Sequence, residues 1–560
     1  MRIKAIVLVA AALCSLSPVA PAGASGIRTH VQMCVEALDQ QLQPEKMPGI
    51  AELFAAPGAR RAFYHGCMFP DWGFAVDGMH QAGEDAHWEK FQTHYLQFLK
   101  DHVSWPWSDE AKREVAFYLG AVAHGAQDIP WHFDGPARPS YLKLSEQHDK
   151  LDHGTTEKLV DALVYIRYHR EGSDPLGKPD CAWPFATLLS VYGKSHPEVT
   201  KEKLQAGCQA LAAGYLGTGL VGELHRKELP KKYPWNASHL ADYYYGGIET
   251  GAAMTGMLAG RYYARLLGGV QLQRDLEYEK PGEFTPFQGG VDAHVYEVQE
   301  ANNTGLEPFF ELTGDGTGDA RHGVIRFDLS ALPPRTQVGS ARLWLYLAGR
   351  RGSPQTTPKV IEARPLSRPW KEGTGRTDEV AGYKGVLATG GGVSYKDGVA
   401  NGAGDPADAV TVQPGEPVGR WLSWDVTPIV RRHIAHLEEN LGILLMETRE
   451  SAGSGGVLQF LSSQALKSQA DGYGGGVRLG RRPVLVVLPP LPLSSPTTRL
   501  RLPWSRTLTL PCPACAAVEV ATGRDRGPTG SASRERLSRG RCAHRCRGGR
   551  YTARRRPRHG

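Results

Sequence analysis

The chain has 560 residues, 65 Lys and Arg against 58 Asp and Glu, and a formal net charge of +7. That surplus is local: residues 491–560 hold 16 Arg, no Lys and three acids, a balance of +13, and with Arg2 and Lys4 also set aside residues 25–490 carry −8. This length predicts more than one domain, and a mildly acidic body excludes the electrostatic case for a nucleic-acid partner.

The chain opens MRIK, AIVLVAAALCSL and PVAPAGA. A basic start, a short apolar run and small residues predict a signal peptide over residues 1–24, cut after Ala24 to leave Ser25 as the mature N-terminus. The expectation is therefore a secreted or periplasmic, soluble protein. Cys34, Cys67, Cys181 and Cys208 come next. An even count in an exported protein predicts two disulfides. Three pairings exist, and Cys34–Cys67 with Cys181–Cys208 closes the shortest loops.

Residues 25–270 read as all-α. HWEKFQTHYLQFL sets Trp88, Phe91, Tyr95 and Phe98 at spacings of three and four, one apolar helix face. EAKREVAFYLGAVAHGAQD continues the style, with Asp109 placed to cap its start. Further helices are expected near 145–169, 198–226 and 237–267, and β-branched residues are sparse. After Gly268 a Pro- and Gly-containing linker is expected over 271–285. Beyond it stand VDAHVYEV, HGVIRFDLS, ARLWLYLAG, RWLSWDVTPIV, NLGILLMET, VLQFLSS and RPVLVVLPP, separated by Gly-rich and polar turns. Such runs predict an all-β sandwich, jelly-roll-like, over 286–489. Residues 490–560 are rich in Arg, Pro, Ser and Gly and are expected to be a disordered tail. CPAC and CAHRC within it lack the strand-like flanks of a zinc ribbon.

The chemistry concentrates in the helical part. Eleven of the 20 histidines lie in residues 25–170, where an even spread puts about five. In FYLGAVAHGAQDIPWHFD, His124, Asp128 and His132 recur at intervals of four among apolar neighbours. The first two face one way on a helix. Pro130 removes a backbone donor and is expected to kink or end that helix, releasing His132 to approach from another direction. His148 and Asp152 in EQHDKLD form a second i,i+4 pair, with His153 and Glu157 as a competitor at the same spacing. Asp71 in MFPDWGF, His87 in AHWEKF and His30 in IRTH complete the set. Nitrogen and carboxylate ligands without a thiolate cluster suit zinc in an open, catalytic setting. More than four strong ligands imply more than one ion, an arrangement suited to phosphodiester hydrolysis.

Blander readings stand beside these. Asp71 after Pro70 is also what a turn cap looks like, one of the two i,i+4 pairs is a solvated helix face, and His87 sits beside a core Trp88. His124 and Asp128 are hardest to explain away, because buried polar groups need partners. His65, His80, His94, His102 and His169 are read as surface or core residues.

In order and texture, IRTHVQMCVEAL, MFPDWGF, AHWEKF, FYLGAVAHGAQDIPWH and EQHDKLD resemble the zinc-dependent phospholipase C family, and within it the catalytic domain of the glycosylphosphatidylinositol-specific phospholipase D branch. The resemblance covers about residues 25–270. It implies an all-helical domain with three zinc ions (Zn2+) in a cleft. By motif it implies His30 as a ligand of the third zinc, and Asp71 as a ligand and general base. It further implies His87, His124, Asp128 and His132 as ligands, with Asp128 bridging two ions, and His148 with Asp152 as the last pair. The amine and carbonyl of Ser25, freed by signal cleavage, would complete the set. The β-rich part resembles a DNRLRE-type sandwich module through HGVIRFDLSALPPRTQVGSARLWLYL, WLSWDVTPIV and RPVLVVLPP, which implies a polysaccharide ligand or a spacer. Trp344, Trp370, Trp421 and Trp424 are either stacking faces for it or core aromatics.

The expected function is that of an exported, monomeric zinc phosphodiesterase acting on phospholipid at a membrane surface. Family breadth favours C-type cleavage, and local motifs lean toward D-type cleavage of glycosylphosphatidylinositol-like lipids. A zinc nuclease of the S1/P1 type shares the fold and the three-zinc plan, but the acidic body and the PDWGF and AHW contexts count against it. A non-catalytic glycan-binding protein is the reading from another class; the full ligand set counts against that one.

Overall fold

The computed structural model describes residues 26–490, except 41, 43–48, 135–138, 170–172, 242–246, 274–289, 298–302, 306, 315–317, 333–335, 374, 376–391, 400, 402, 449–454 and 464–480. The expected signal peptide over 1–24, Ser25, most of the expected linker and the Arg-rich tail beyond Pro490, with CPAC and CAHRC, lie outside the described residues.

The first half is helical: α1 (Ile27–Gln40), α2 (Ile50–Ala55), α3 (Ala59–Met68), a 3-10 turn (Phe69–Ala75), α4 (His80–His87), α5 (Glu89–His102), α6 (Asp109–His132), α7 (Tyr141–Asp149), α8 (His153–Tyr168), α9 (Phe185–Tyr192), α10 (Lys201–Leu224), α11 (Leu229–Lys232), α12 (Pro234–His239) and α13 (Ile248–Leu266). α6 is its axis. From Val115 to Trp131 every residue of that helix is buried, as a helix apolar all round must be. The cap at its start is Ser108, whose side chain accepts from the Ala111 N–H, rather than Asp109, which is the first helical residue. There Asp109 and Glu110 complement the helix dipole. α6 runs through Pro130 and stops only at His132, so His132 keeps the face of His124 and Asp128 and comes from no other direction. One backbone bond is forfeited at Pro130, in a last turn where burial holds the helix together.

α3 and α6 cross backbone to backbone. A Cβ on Gly120 would strike the Phe63 and Cys67 backbone, and one on Gly66 the Phe117 and Ala121 backbone. The disulfide Cys34–Cys67 ties α3 to α1, and Cys181–Cys208 ties the segment before α9 to α10, which is the shortest-loop pairing. The single helix expected over 145–169 is two. Lys150 turns left-handed at φ 59 and Asp152 caps α8, accepting from Thr155 N at 2.9 Å.

The second half is two antiparallel sheets. One holds β1 (Val270–Gln273), β11 (Val484–Leu488), β5 (Ser340–Arg351), β10 (Val457–Leu461) and β3 (Phe309–Leu312) in that order, with β8 (Arg420–Asp425) also pairing β5. The other runs β2 (Gly290–Tyr296), β4 (Arg321–Phe327), β9 (Ile443–Glu447), β6 (Lys359–Pro365), β7 (Asp408–Val412). β11 and β10 pair successive halves of the long β5. Leu343, Leu345 and Leu347 alternate inward along it and share one core with Ile361, Ala363, Ile443 and Leu445 of the other sheet, as a period of two dictates. Trp424 bridges the sheets, its Nε1 donating to the Ile361 carbonyl at 2.8 Å.

Three features differ from expectation. The chain enters the sheet at Val270, the last residue of the expected helical part, and stays in it through the first three residues of the anticipated linker, because β1 covers the edge of β11 in register Val270↔Val487 to Gln273↔Val484. TPIV is not strand but the start of α14 (Thr427–Ala435), beyond Asp425, which accepts from Thr427 N. β3 and β7 are short strands that gave no signal, and β6 went unread because Lys359, a charged residue, takes one of its buried inward positions beside Ile361 and Ala363. Trp344, Trp370 and Trp424 are buried, so core packing rather than stacking exposure accounts for them. Trp344, Val484, Val486 and Leu488 pack on Ala264 and Leu267 at the end of α13, joining sheet to helices.

Candidate metal centre

α6 brings His124, Asp128 and His132 to one face, and three other elements close on it. α1 supplies His30, the 3-10 turn Asp71 and the end of α4 His87. Asp128 is central: its Oδ1 lies 3.4 Å from His30 Nε2 and 3.6 Å from His132 Nε2, its Oδ2 3.4 Å from His124 Nε2 and 3.6 Å from His87 Nε2. Asp71 Oδ1 is 3.4 Å from both His87 Nε2 and His124 Nε2. His30, Asp71, His87, His124 and Asp128 are all buried. Five polar residues without solvent need mutual compensation or a cation.

The outer nitrogens show which. His30 Nδ1 faces Gln127 Oε1 at 2.6 Å, His87 Nδ1 faces the Gly83 carbonyl at 2.8 Å, and His124 Nδ1 faces the Cys67 carbonyl. Each of these acceptors holds the proton on Nδ1 and leaves Nε2 as the ligating atom. His87 Nε2 and His124 Nε2 then stand 3.1 Å apart. Two lone pairs at that distance require a positive charge between them, a proton or a metal ion. Without metal the proton goes to His124: burial opposes its charged form, but Asp71 and Asp128 outweigh burial and push it up to about 10. His30, by contrast, is lowered to about 4 by burial, with the His124 charge adding to it. Burial raises Asp71, yet His124 and His87 bring it down to about 2, and Asp128 falls well below the carboxylate range for the same reason.

Metal-ligand geometry recurs in three groups among the described residues: His30, Asp71 and His124; His87, His124 and Asp128; His132, His153 and Glu157. His30 Nε2, Asp71 Oδ1 and His132 Nε2 are buried without a hydrogen-bond partner. Orphaned donor atoms of this kind, in an all-nitrogen and oxygen set, fit zinc.

The third group revises the sequence reading. His153 Nε2 lies 2.7 Å from Glu157 Oε1, and the His132 and His153 rings are 4.8 Å apart. His148 and Asp152, favoured by the motif register, are elsewhere: His148 stacks on Trp235 at 5.2 Å, and Asp152 is spent as the α8 cap. The helix break at Lys150 puts these two on different elements, whereas His153 and Glu157 share one turn of α8. The cap itself was the available signal, since Asp152 three residues before Thr155 marks the helix start. Gln127 was missed altogether. It connects His30 to Thr255 Oγ1 (2.6 Å) and to Cys34 Sγ (3.2 Å), contacts that its residue type and spacing do not announce. Of the remaining candidate, Ser25, the nearest described neighbour is Gly26, which abuts the Glu157 carbonyl and Asp161.

Comparison with known proteins bears on the same stretch. Residues 29–217 match the family model described as zinc dependent phospholipase C. Phosphatidylinositol-glycan-specific phospholipase D of Dictyostelium discoideum is 26% identical over 200 residues, 33% of this chain and 20% of that protein. The proteins of the same name from Rattus norvegicus and Homo sapiens are each 26% identical, over 242 and 239 residues, 40% of this chain and 27% of theirs. The chain thus matches about a quarter of the length of these relatives.

Proposed function

From a chain whose helical half carries a domain of the zinc-dependent phospholipase C family, we propose an exported phosphodiesterase that hydrolyses phospholipid. The observation that carries it is the buried pair of Nε2 atoms on His87 and His124, 3.1 Å apart and flanked by Asp71 and Asp128. That arrangement gathers buried ligand atoms where a metal ion would balance their charge. His30, Asp71, His87, His124, Asp128 and His132 would hold zinc, joined by His153 and Glu157 and, after signal cleavage, by Ser25. Zinc bound there supplies Lewis acidity, which neutralises charge on a phosphoryl oxygen and acidifies water.

The protein groups supply the rest. Asp71, ionised throughout the neutral range, accepts the proton of the attacking water and orients it. Asp128 fixes the spacing of four imidazoles at once. The Cys67 and Gly83 carbonyls and Gln127 keep His124, His87 and His30 in one tautomer, so no reorganisation is needed as charge develops. Which ester bond breaks depends on how the headgroup enters, and C-type cleavage is the reading preferred for the family as a whole.

Zinc content and liposome hydrolysis, measured together on the mature protein and on Asp128→Asn, test the proposal. Bound zinc in the parent and an activity loss of at least about 100-fold in the variant are expected. Diacylglycerol as product assigns C-type cleavage, phosphatidate D-type. Folded protein without zinc or lipid turnover would refute the hydrolase, and cleavage of single-stranded DNA in place of lipid would assign a nuclease.

A further inference from the structure

α10 is apolar on two faces. One face, with Leu204, Leu211, Tyr215, Gly219 and Gly222, is buried. It lies on α1 and α8: Gly219 sits against Arg28, and Gly222 against the Ala162 carbonyl and the Tyr165 ring. The opposite face has no covering among the described residues. There Leu216, Leu220, Val221 and Leu224 are 44%, 41%, 37% and 49% exposed, and a Cβ at Gly217 between them would meet nothing within 4 Å. Only Val418 and Leu437 among the other large described hydrophobics are comparably exposed, and each stands alone. Scattered exposed leucines need no account, whereas a stripe at i, i+4 and i+8 on one helix marks an interaction surface.

The residues just beyond the stripe identify the partner. Arg226 and Lys227 are exposed just after Leu224, and Lys231 and Lys232 are exposed at the end of α11, against Glu223, which is paired with Arg226, and Glu228. Half-buried Tyr233 and Trp235 come next, with Lys232 Nζ 5.0 Å from the Tyr233 ring. Aliphatic residues that end in lysines and aromatic rings fit the boundary between acyl chains and an acidic headgroup layer. A second copy of α10 offers no run of acids to match the lysines. No described helix is long and apolar enough to cross a membrane, so the contact is with its surface.

We propose that the outer face of α10, with Lys227 just past its end and Lys231 and Lys232 on α11, docks the protein on an anionic phospholipid surface. The proposal rests on the lipid-hydrolase reading above and extends it from the bond cleaved to the surface on which cleavage occurs. Leu216, Leu220 and Leu224 enter the interface, and the lysines pair with headgroup charge, in a manner weakened by salt.

Flotation of the mature protein with vesicles of phosphatidylcholine, with and without phosphatidylglycerol, tests it. Binding to the mixed vesicles is expected to fall about 100-fold when Leu216, Leu220 and Leu224 are all changed to Ser. About fivefold should be lost for each of Lys227→Ala, Lys231→Ala and Lys232→Ala at low salt. All these positions are exposed, and turnover of a soluble short-chain phosphodiester should be unchanged by either set. Unaltered flotation in both sets would overturn the proposal. So would a concentration-dependent dimer that the leucine variant disperses while flotation persists. Flotation of the Asp128→Asn protein reads the surface separately from catalysis: α10-dependent flotation without turnover in the parent sinks the hydrolase reading alone, and turnover without α10-dependent flotation sinks the docking surface alone.

Discussion

At the scale of single residues, Gln127 decides how well the centre is preorganised. Its Oε1 accepts from His30 Nδ1, while its Nε2 reaches Thr255 and the sulfur of Cys34. Gln127→Leu keeps the volume but leaves His30 free to flip tautomer and buries an unsatisfied nitrogen. Zinc retention against a chelator should weaken by about 10–100-fold, with a stability cost of about 1–3 kcal/mol. Gln127→Glu, which restores an acceptor, should recover most of the affinity; failure to do so would mean that Gln127 acts through packing alone. The ligand types were legible in the sequence here, since imidazoles and carboxylates at helical spacing announce themselves. Gln127 was not, because an amide has no chemistry of its own and acquires its role only from what it touches.

Among elements, the crossing of α3 and α6 sets the geometry of the site. Gly66 and Gly120 let the two backbones meet, and that approach delivers the Cys67 carbonyl to His124 Nδ1. Gly120→Ala would improve helix propensity in isolation, yet the added methyl meets backbone, which cannot swing aside. A net loss of about 1–3 kcal/mol is expected in urea unfolding, together with lower zinc affinity. A variant as stable and as metal-competent as the parent would show that the crossing is looser than its contacts. The extent of α10 was legible as the helix expected over 198–226, and α6 ran past the end expected at Pro130, but the α7–α8 break could not be read. It depends on one residue, Lys150, taking a left-handed conformation that any local propensity disfavours.

For the whole molecule, acid is the informative variable. His65, His169 and His433 are lowered to about 4 and His294 to about 3, in each case chiefly by burial. They lie in both halves of the chain. In the unfolded chain each returns to about 6.5, so between about 6.5 and 4 the unfolded state binds more protons. The stability these groups contribute is complete above 6.5 and is lost as the pH falls through about 4. Denaturant midpoints should therefore decline across that window in the helical and sheet halves alike, and a flat profile would contradict the burial of these rings. Metal adds to the trend, since protons compete with zinc for the same nitrogens and chelator resistance should fall with pH.

The sequence alone determined what is periodic or chemical: the all-α character of the first half, the alternating strands of the second, cysteines enough for two disulfides, and a His- and Asp-rich set suited to zinc. These are local properties, carried by spacings of two, three and four. The tertiary structure decided how the faces are phased against one another. It set His153 and Glu157, rather than His148 and Asp152, beside His132, drew Val270–Gln273 into the sheet, and left one apolar face of α10 uncovered by the described residues. The physical reason is common to all three. A period states that a face exists, but which neighbour meets that face depends on where the chain breaks and how closely its helices can cross.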